Sequence, residues 1–365
     1  MVTQKTAGVA AWAAAIGGAA TRWSDRVEQF SADVMEVAHQ PKFMLASDAG
    51  IFCIGSCFAR NIEEHLIYQE MNLLSRRIFS PKDEWPRRTN GFVNKFTTHS
   101  IRNEIEWAQQ PPVLEETFFE ERANGYIDLQ LSPKMPPVEL ERAIERRTYL
   151  THEYFARLRD ASVVIITLGL NEVWFDKASN RHVNGPPSFY AARREPGRYE
   201  LHITDVADNL AELEEIRRLL HALSPGVQIV VTVSPVPMSE TFSGRDVVIA
   251  NMYSKSTLRA AAEQFAQAHP DVDYFPSYDI VASSPRPKAY EADCLHVSDE
   301  TVGRVIQCFL RLYLGLDRAP PAFSELDYLE ANPEVEAAVR RGELASGFEH
   351  WRAQGGGRGA AVKAA

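Results

Sequence analysis

Four short apolar runs, set far apart, place the strongest limit on what this 365-residue chain can fold into. They are IFCIG (51–55), VVIITLG (163–169), VQIVVTVSP (227–235) and VDYF (272–275). The second is β-branched and almost wholly apolar, as a central strand buried on both faces requires. Segments with apolar residues at helical spacing lie between the runs. One begins at Phe58 and continues through Ile62, Leu66 and Leu73; others cover about 141–160, 204–223, 249–268 and 298–314. Thr204 or Asp205 is placed to cap the 204–223 helix, and Ser298 the last one.

Strands alternating with helices predict βαβ units and a mostly parallel sheet, covered by helices on both sides: an α/β chain of three-layer α/β/α design. In such sheets ligands bind beyond the carboxyl ends of the strands. That rule gathers Gly55-Ser56-Cys57, Gly169-Leu170-Asn171-Glu172 and Ser234-Pro235-Val236-Pro237 on one rim.

The length and the 45% hydrophobic content suffice for one large domain with an appendage, or for two modest domains. Residues 1–44 are expected to form a helical extension, with a short helix in the alanine-rich stretch 10–20 rather than a secretory signal. The main domain is expected over 45–316. Two long insertions, 75–140 and 174–203, interrupt its alternation with prolines and aromatics and are candidates for substrate walls. After the hinge DRAPPAF, a small helical unit is expected over 323–355 and a disordered tail over 356–365.

A net charge of −10 and a pI near 5.6, without any Lys/Arg-dense run, argue against a nucleic-acid partner. Four cysteines, Cys53, Cys57, Cys294 and Cys308, are too few for a disulfide scaffold and point to a reducing compartment. No apolar run approaches the ~18 residues of a membrane span. The expected location is the cytoplasm.

The rim residues carry the chemistry. A nucleophile between a buried strand and a helix is exposed, sits in the positive field of the helix N-terminus, and has backbone N–H groups nearby for an oxyanion. Cys57 is intrinsically the better nucleophile and Ser56 the competitor. ADCLHVSDE (292–300) offers Asp293 and His296 three residues apart, a spacing that supplies a general base and the carboxylate that orients it. Asn171, after a strand and a glycine, is a side-chain donor for an oxyanion or a turn residue.

The order of these blocks resembles the SGNH (GDSL-type) hydrolases, whose blocks read G-D-S, G-x-N-D and D-x-x-H. More specifically, the chain resembles the GSCFA family through Gly55-Ser56-Cys57-Phe58-Ala59. TNGFVNKFTTHSI (89–101), TLGLNEVW (167–174), TVSPVP (232–237), Asn251…Ser254-Lys255 with Leu258, and YFPSYDI (274–280) extend the resemblance over roughly 45–315. The resemblance implies a flavodoxin-like fold. It puts Cys57 in the nucleophile role and Ser56 where the SGNH aspartate stands. Gly91 and Asn171 become oxyanion-hole donors, His296 the base and Asp293 its orienter. The tail resembles a short module of bacterial proteins with an F-x4-YL-x2-NPDV core, here with Glu334 in place of the aspartate. Modules of this kind often accompany glycan-building or surface-associated enzymes, which tilts the expected substrate toward carbohydrate.

The function expected is acyl-ester chemistry, as esterase or O-acyltransferase, on a carbohydrate or glycoside. A transferase needs an acyl donor such as acetyl-CoA, with Arg193 and Arg194 available for its phosphates. No metal or cofactor is required. The competing readings are a zinc site built from Cys57, Cys294, His296 and Asp293, and a non-catalytic scaffold that binds a glycan or a partner.

Overall fold

The computed structural model describes residues 5–18, 20–32, 34–317 and 323–356. Its centre is a five-stranded parallel sheet. The strands are β1 (Gly50–Gly55), β2 (Asn72–Leu73), β3 (Val163–Leu168), β4 (Gln228–Val233) and β5 (Val272–Tyr274), in spatial order β2-β1-β3-β4-β5. This is the flavodoxin order, whose topological switch point lies between β1 and β3. Ile51 pairs with Val163 and Gly55 with Thr167 across that junction.

Period-two alternation sends β-strand side chains to two cores. Phe52, Ile54, Val164, Ile166, Ile229 and Val231 face one, and Ile51, Cys53, Val163, Ile165 and Val230 the other. Each such aliphatic residue is worth ~1.5–3 kcal/mol of burial. Helices α1 (Cys57–Tyr68) and α5 (Asp299–Leu314) cover the second face, through Phe58, Ile62, Val305 and Phe309. Three helices cover the first: α2 (Thr98–Trp107), α3 (Val206–Leu223) and α4 (Val247–Ala268), through Ile101, Ile105, Leu213, Ile216, Leu258 and Phe265. Asp205 caps α3 by accepting from the Asp208 N–H at 2.9 Å, and Ser298 caps α5.

The stretch 75–140 is only partly an insertion, because it contains α2, one of the layer helices. The stretch 174–203 forms most of a three-stranded antiparallel sheet of Glu172–Asp176, Arg181–Val183 and Tyr199–Ile203. The N-terminal extension holds a helix at Gly8–Gly17, where Trp12 stays exposed. The expected disordered tail lies outside the described residues from 357 onward.

The C-terminal unit forms helices Glu325–Ala331, Pro333–Arg340 and Gly347–Ala353. It does not stand apart. Phe348 joins the core beneath α1 and meets Tyr68 with ring centroids 4.9 Å apart. Arg340 is buried and donates to the carbonyls of Trp85 at 2.8 Å and Arg87 at 3.2 Å.

Candidate active site

β1 runs into α1 through a turn that only glycine can make. Gly55 has φ +134°, and a Cβ there would lie 2.2 Å from the Thr167 carbonyl oxygen. The strands touch so closely because the Ser56 N–H donates to that same oxygen at 3.0 Å. Ser56 is 3% exposed. Its hydroxyl shares a hydrogen bond with the Thr167 hydroxyl at 3.1 Å and accepts from the Phe58 N–H at 3.3 Å. Ser56 is therefore the N-cap of α1, with its hydroxyl bonded on both sides.

Cys57 is the first residue of α1 and keeps partial contact with solvent. Its thiol stands at the switch point, in the positive field of α1. Burial nevertheless pushes the thiol above its ordinary range; Lys255, Arg88 and the backbone N–H groups of the turn pull the other way and lose. Protein atoms packed around the sulfur outweigh the field of the helix terminus.

Lys255 is the residue whose part the sequence concealed. It is 1% exposed, and its ammonium donates to the Gly169 carbonyl at 2.8 Å. Gly169 lies two residues beyond Thr167, so Nζ reaches the rim where β1 and β3 end. Burial lowers Lys255 to about 7, and the Cys57 thiolate is the one charge that opposes this. The matching residues Asn251 and Ser254 lie on the same face of α4. Ser254 accepts from the Asn171 N–H at 3.0 Å, and Asn251 accepts from the Met238 N–H at 3.1 Å. The Asn251…Ser254-Lys255 pattern thus pins two rim loops and delivers one cation.

Arg88 also bears on Cys57 but is committed to α1. It donates to the Asn61 side chain at 2.9 Å and to the Arg60 carbonyl at 2.6 Å, and it pairs with Glu64. The segment carrying it continues to the rim, where the Lys95 N–H donates to the Gly55 carbonyl at 2.7 Å.

Of the two expected oxyanion donors, Gly91 has its N–H engaged, and Asn171 has one of its two side-chain N–H groups engaged. The Gly91 N–H donates to the Arg88 carbonyl at 2.9 Å. The Asn171 side-chain amide donates to the Thr204 carbonyl at 2.9 Å, and the residue is 1% exposed. Asn171 ties the antiparallel sheet to the rim. At the start of α1 the Phe58 N–H goes to the Ser56 hydroxyl and the Ala59 N–H to the Ser56 carbonyl, which leaves the N–H of Cys57 itself as the oxyanion donor nearest the sulfur.

His296 and Asp293 do pair, Nδ1 to Oδ2 at 2.6 Å. Asp293 also accepts from the N–H groups of Leu295 at 2.9 Å and His296 at 3.0 Å, and these bonds hold its carboxyl down at about 2. The loop is tied to the same rim, because Tyr290 at its base donates to the Pro235 carbonyl at 3.1 Å. The pair itself is exposed, and among the described residues no hydrogen bond joins His296 to Cys57.

The zinc alternative finds no support: among the described residues no group of three or more His, Cys, Asp or Glu side chains is placed to hold a metal ion. All four cysteines are free, with Cys53 and Cys308 buried and Cys294 exposed. Of the two arginines assigned to a donor's phosphates, Arg194 is paired with Glu121 at 3.0 Å and Glu195 at 3.1 Å. No helix among the described residues is long and apolar enough to cross a membrane.

The model of the GSCFA family matches residues 50–309, from the first residue of β1 into α5. The chain belongs to the GSCFA family. The match takes in every rim segment of this GSCFA protein and stops short of the C-terminal helices. No curated protein matches the chain.

Proposed function

We propose that this GSCFA protein performs acyl-group chemistry, as an ester hydrolase or O-acyltransferase of SGNH type, with Cys57 as the nucleophile. One observation carries the reading: at the topological switch point, the residue left open is a thiol flanked by a buried lysine, while the neighbouring hydroxyl is consumed as a helix cap. A thiol beside an amine at a helix N-terminus suits attack on a carbonyl, followed by a thioester that water or an alcohol can resolve. His296, oriented by Asp293, supplies a second proton-transfer group from the solvent-exposed side of the rim.

The substrate proposed is a glycan or glycoside ester, or a sugar hydroxyl accepting an acyl group from a thioester donor such as acetyl-CoA. The support is analogy with the C-terminal module, whose helices are seated against α1. Four free thiols fit a reducing compartment such as the cytoplasm.

The exposed His296, without a bond to Cys57, favours a second reading: a glycan- or partner-binding scaffold without turnover. Intact-mass spectrometry after exposure to p-nitrophenyl acetate and to acetyl-CoA, with peptide mapping, separates the two. An acetyl adduct on Cys57 that is lost in Cys57→Ala is expected. Absence of any adduct on Cys57 from either donor rejects the enzyme reading.

A further inference from the structure

Two lysines among the described residues are fully buried, and they are held in opposite ways. Lys95 lies 2.5 Å from the Glu104 carboxylate, which also pairs with Arg147 at 2.7 Å; Arg147 in turn meets Asp128 at 2.6 Å. Every charge in that cluster has an opposite partner. Lys255 has no carboxylate partner among the described residues. Its ammonium holds one backbone carbonyl, that of Gly169.

An unpaired buried ammonium is costly, and folds retain one where its chemistry is used. A carbonyl satisfies one of three N–H donors and leaves the charge uncompensated. The single ionisable group that senses Lys255 and is sensed by it is Cys57. The arrangement is one of position: Thr167 holds Ser56 through both its carbonyl and its hydroxyl, and two residues later Gly169 holds Nζ. The residue before Cys57 and the Lys255 nitrogen are thus both held by the chain at the end of β3, by Thr167 and Gly169.

We propose that Lys255, rather than His296, is the proton acceptor for Cys57, so that the pair works as a Cys–Lys dyad. This rests on Cys57 being the nucleophile. In the resting state the pair holds a neutral thiol and a neutral amine. As the sulfur bonds to the acyl carbon, the Sγ proton passes to the Nζ lone pair. The tetrahedral intermediate then expels the alkoxide, which takes that proton from the ammonium and leaves a thioester and a free amine. In the second half, a water or sugar hydroxyl gives its proton to Nζ as its oxygen attacks the thioester. The thiolate leaves and recovers the proton. An amine lowered to about 7 by burial is matched to this exchange near neutral pH.

The test uses the full chain with Lys255→Met, Lys255→Arg and Cys57→Ala, and reads two properties. The first is the pH profile of Cys57 alkylation by iodoacetamide, followed by peptide mapping so that exposed Cys294 is counted separately. Lys255→Met removes the proton acceptor and is expected to slow alkylation at pH 7.5 at least tenfold. Lys255→Arg keeps the positive field and should hold the midpoint at or below that of the parent. The second is p-nitrophenyl acetate turnover. Arginine cannot accept a proton, so Lys255→Arg should trap the acetyl group on Cys57, visible by intact mass, with turnover down at least a hundredfold. Thermal melts check the fold; Lys255→Met removes a buried polar group that has no ionic partner and should melt within a few degrees of the parent. An alkylation profile unchanged in Lys255→Met, or parental turnover in Lys255→Arg, overturns the dyad. If Cys57 is never acetylated while its alkylation still depends on Lys255, the pairing stands and the acyl chemistry falls.

Discussion

Gly55 and Thr167 are locked together: the Thr167 carbonyl oxygen sits 2.2 Å from where a Cβ of residue 55 would be. This contact decides how Cys57 is presented, since the same oxygen receives the Ser56 N–H. Alanine at position 55 meets backbone rather than a flexible side chain, at a φ of +134° that L-residues rarely adopt. Gly55→Ala should cost ~3 kcal/mol or more, from left-side backbone strain together with forced separation of β1 and β3. Urea unfolding measures it. A loss below ~1 kcal/mol would mean that the turn is not held as described.

Ser56 and Cys57 make opposite demands on stability and reactivity. Ser56→Ala removes an N-cap and should cost about 1 kcal/mol. It leaves the Cys57 sulfur in place, so acetylation by p-nitrophenyl acetate should survive within a few fold. Cys57→Ala should lose the adduct completely while melting within a few degrees of the parent, because a partly exposed thiol contributes little packing. Reversal of this order, with the adduct following Ser56, would transfer the nucleophile to the serine.

Gly91 tests the oxyanion assignment. Its N–H is spent on Arg88, and a Cβ there would meet the Trp85 ring edge at 3.3 Å, a contact that a small ring shift relieves. Gly91→Ala should therefore leave turnover within about threefold. Loss of an oxyanion-hole donor typically costs ~10²–10³ in kcat, so a drop of that size would restore Gly91 to the site.

The sheet was legible because its strands are buried on both faces and read as unbroken apolar runs. The edge strand Asn72–Leu73 has two residues and offers no run to read. Helix α2 was hidden for a different reason. Its core side carries Thr98, His99, Ser100, Asn103 and Glu104 beside Ile101 and Ile105, so hydropathy shows no stripe. Those polar groups are buried because they bond to other segments. Asn103 donates to the His182 carbonyl at 2.8 Å, and Glu104 receives Lys95 and Arg147. Cys57 and the His296–Asp293 pair could be read from motif spacing. Lys255 could not, since a lysine within a helical pattern is ordinarily a solvated face residue. Its one sequence signal was its place beside Ser254 in the family pattern, and that signal carried no role. The same limit applied to Gly91 and Asn171, whose donors can be counted as free or spent only once their partners are known.

A cluster of three histidines gives the fold a predictable acid limit. His99 and His182 have ring centroids 4.1 Å apart, and His182 Nε2 lies 3.2 Å from His202 Nδ1. The rings join α2 to the antiparallel sheet beside the rim, with Phe175 stacked on His202. Facing charges come from Arg102 and Glu212, which pair at 2.8 Å, from Glu212 against His99 at 3.7 Å, and from Glu200 against His202 at 3.5 Å. Burial first, then the neighbouring rings and Arg102, pulls His99 to about 3 and His182 to about 4. Both rings are thus neutral in the fold at any pH where it is stable, while in the unfolded chain they take up a proton near ~6.5. For a basic group with a lowered folded value, the unfolded state binds more protons below that point. The contribution is complete above pH ~6.5 and shrinks as pH falls from there toward 4. Native carboxylates with lowered values, such as Asp271 at about 2, lose their contribution mainly below pH ~4, so the upper part of the window belongs to the histidines. Melting temperature should fall steadily between pH 6.5 and 5. His182→Phe keeps an aromatic ring between His99 and Phe175 and removes one titrating group, so its slope over that interval should be visibly shallower. Parallel melting curves for the two proteins from pH 7.5 to 4.5 would show that the cluster is not what limits the fold in acid.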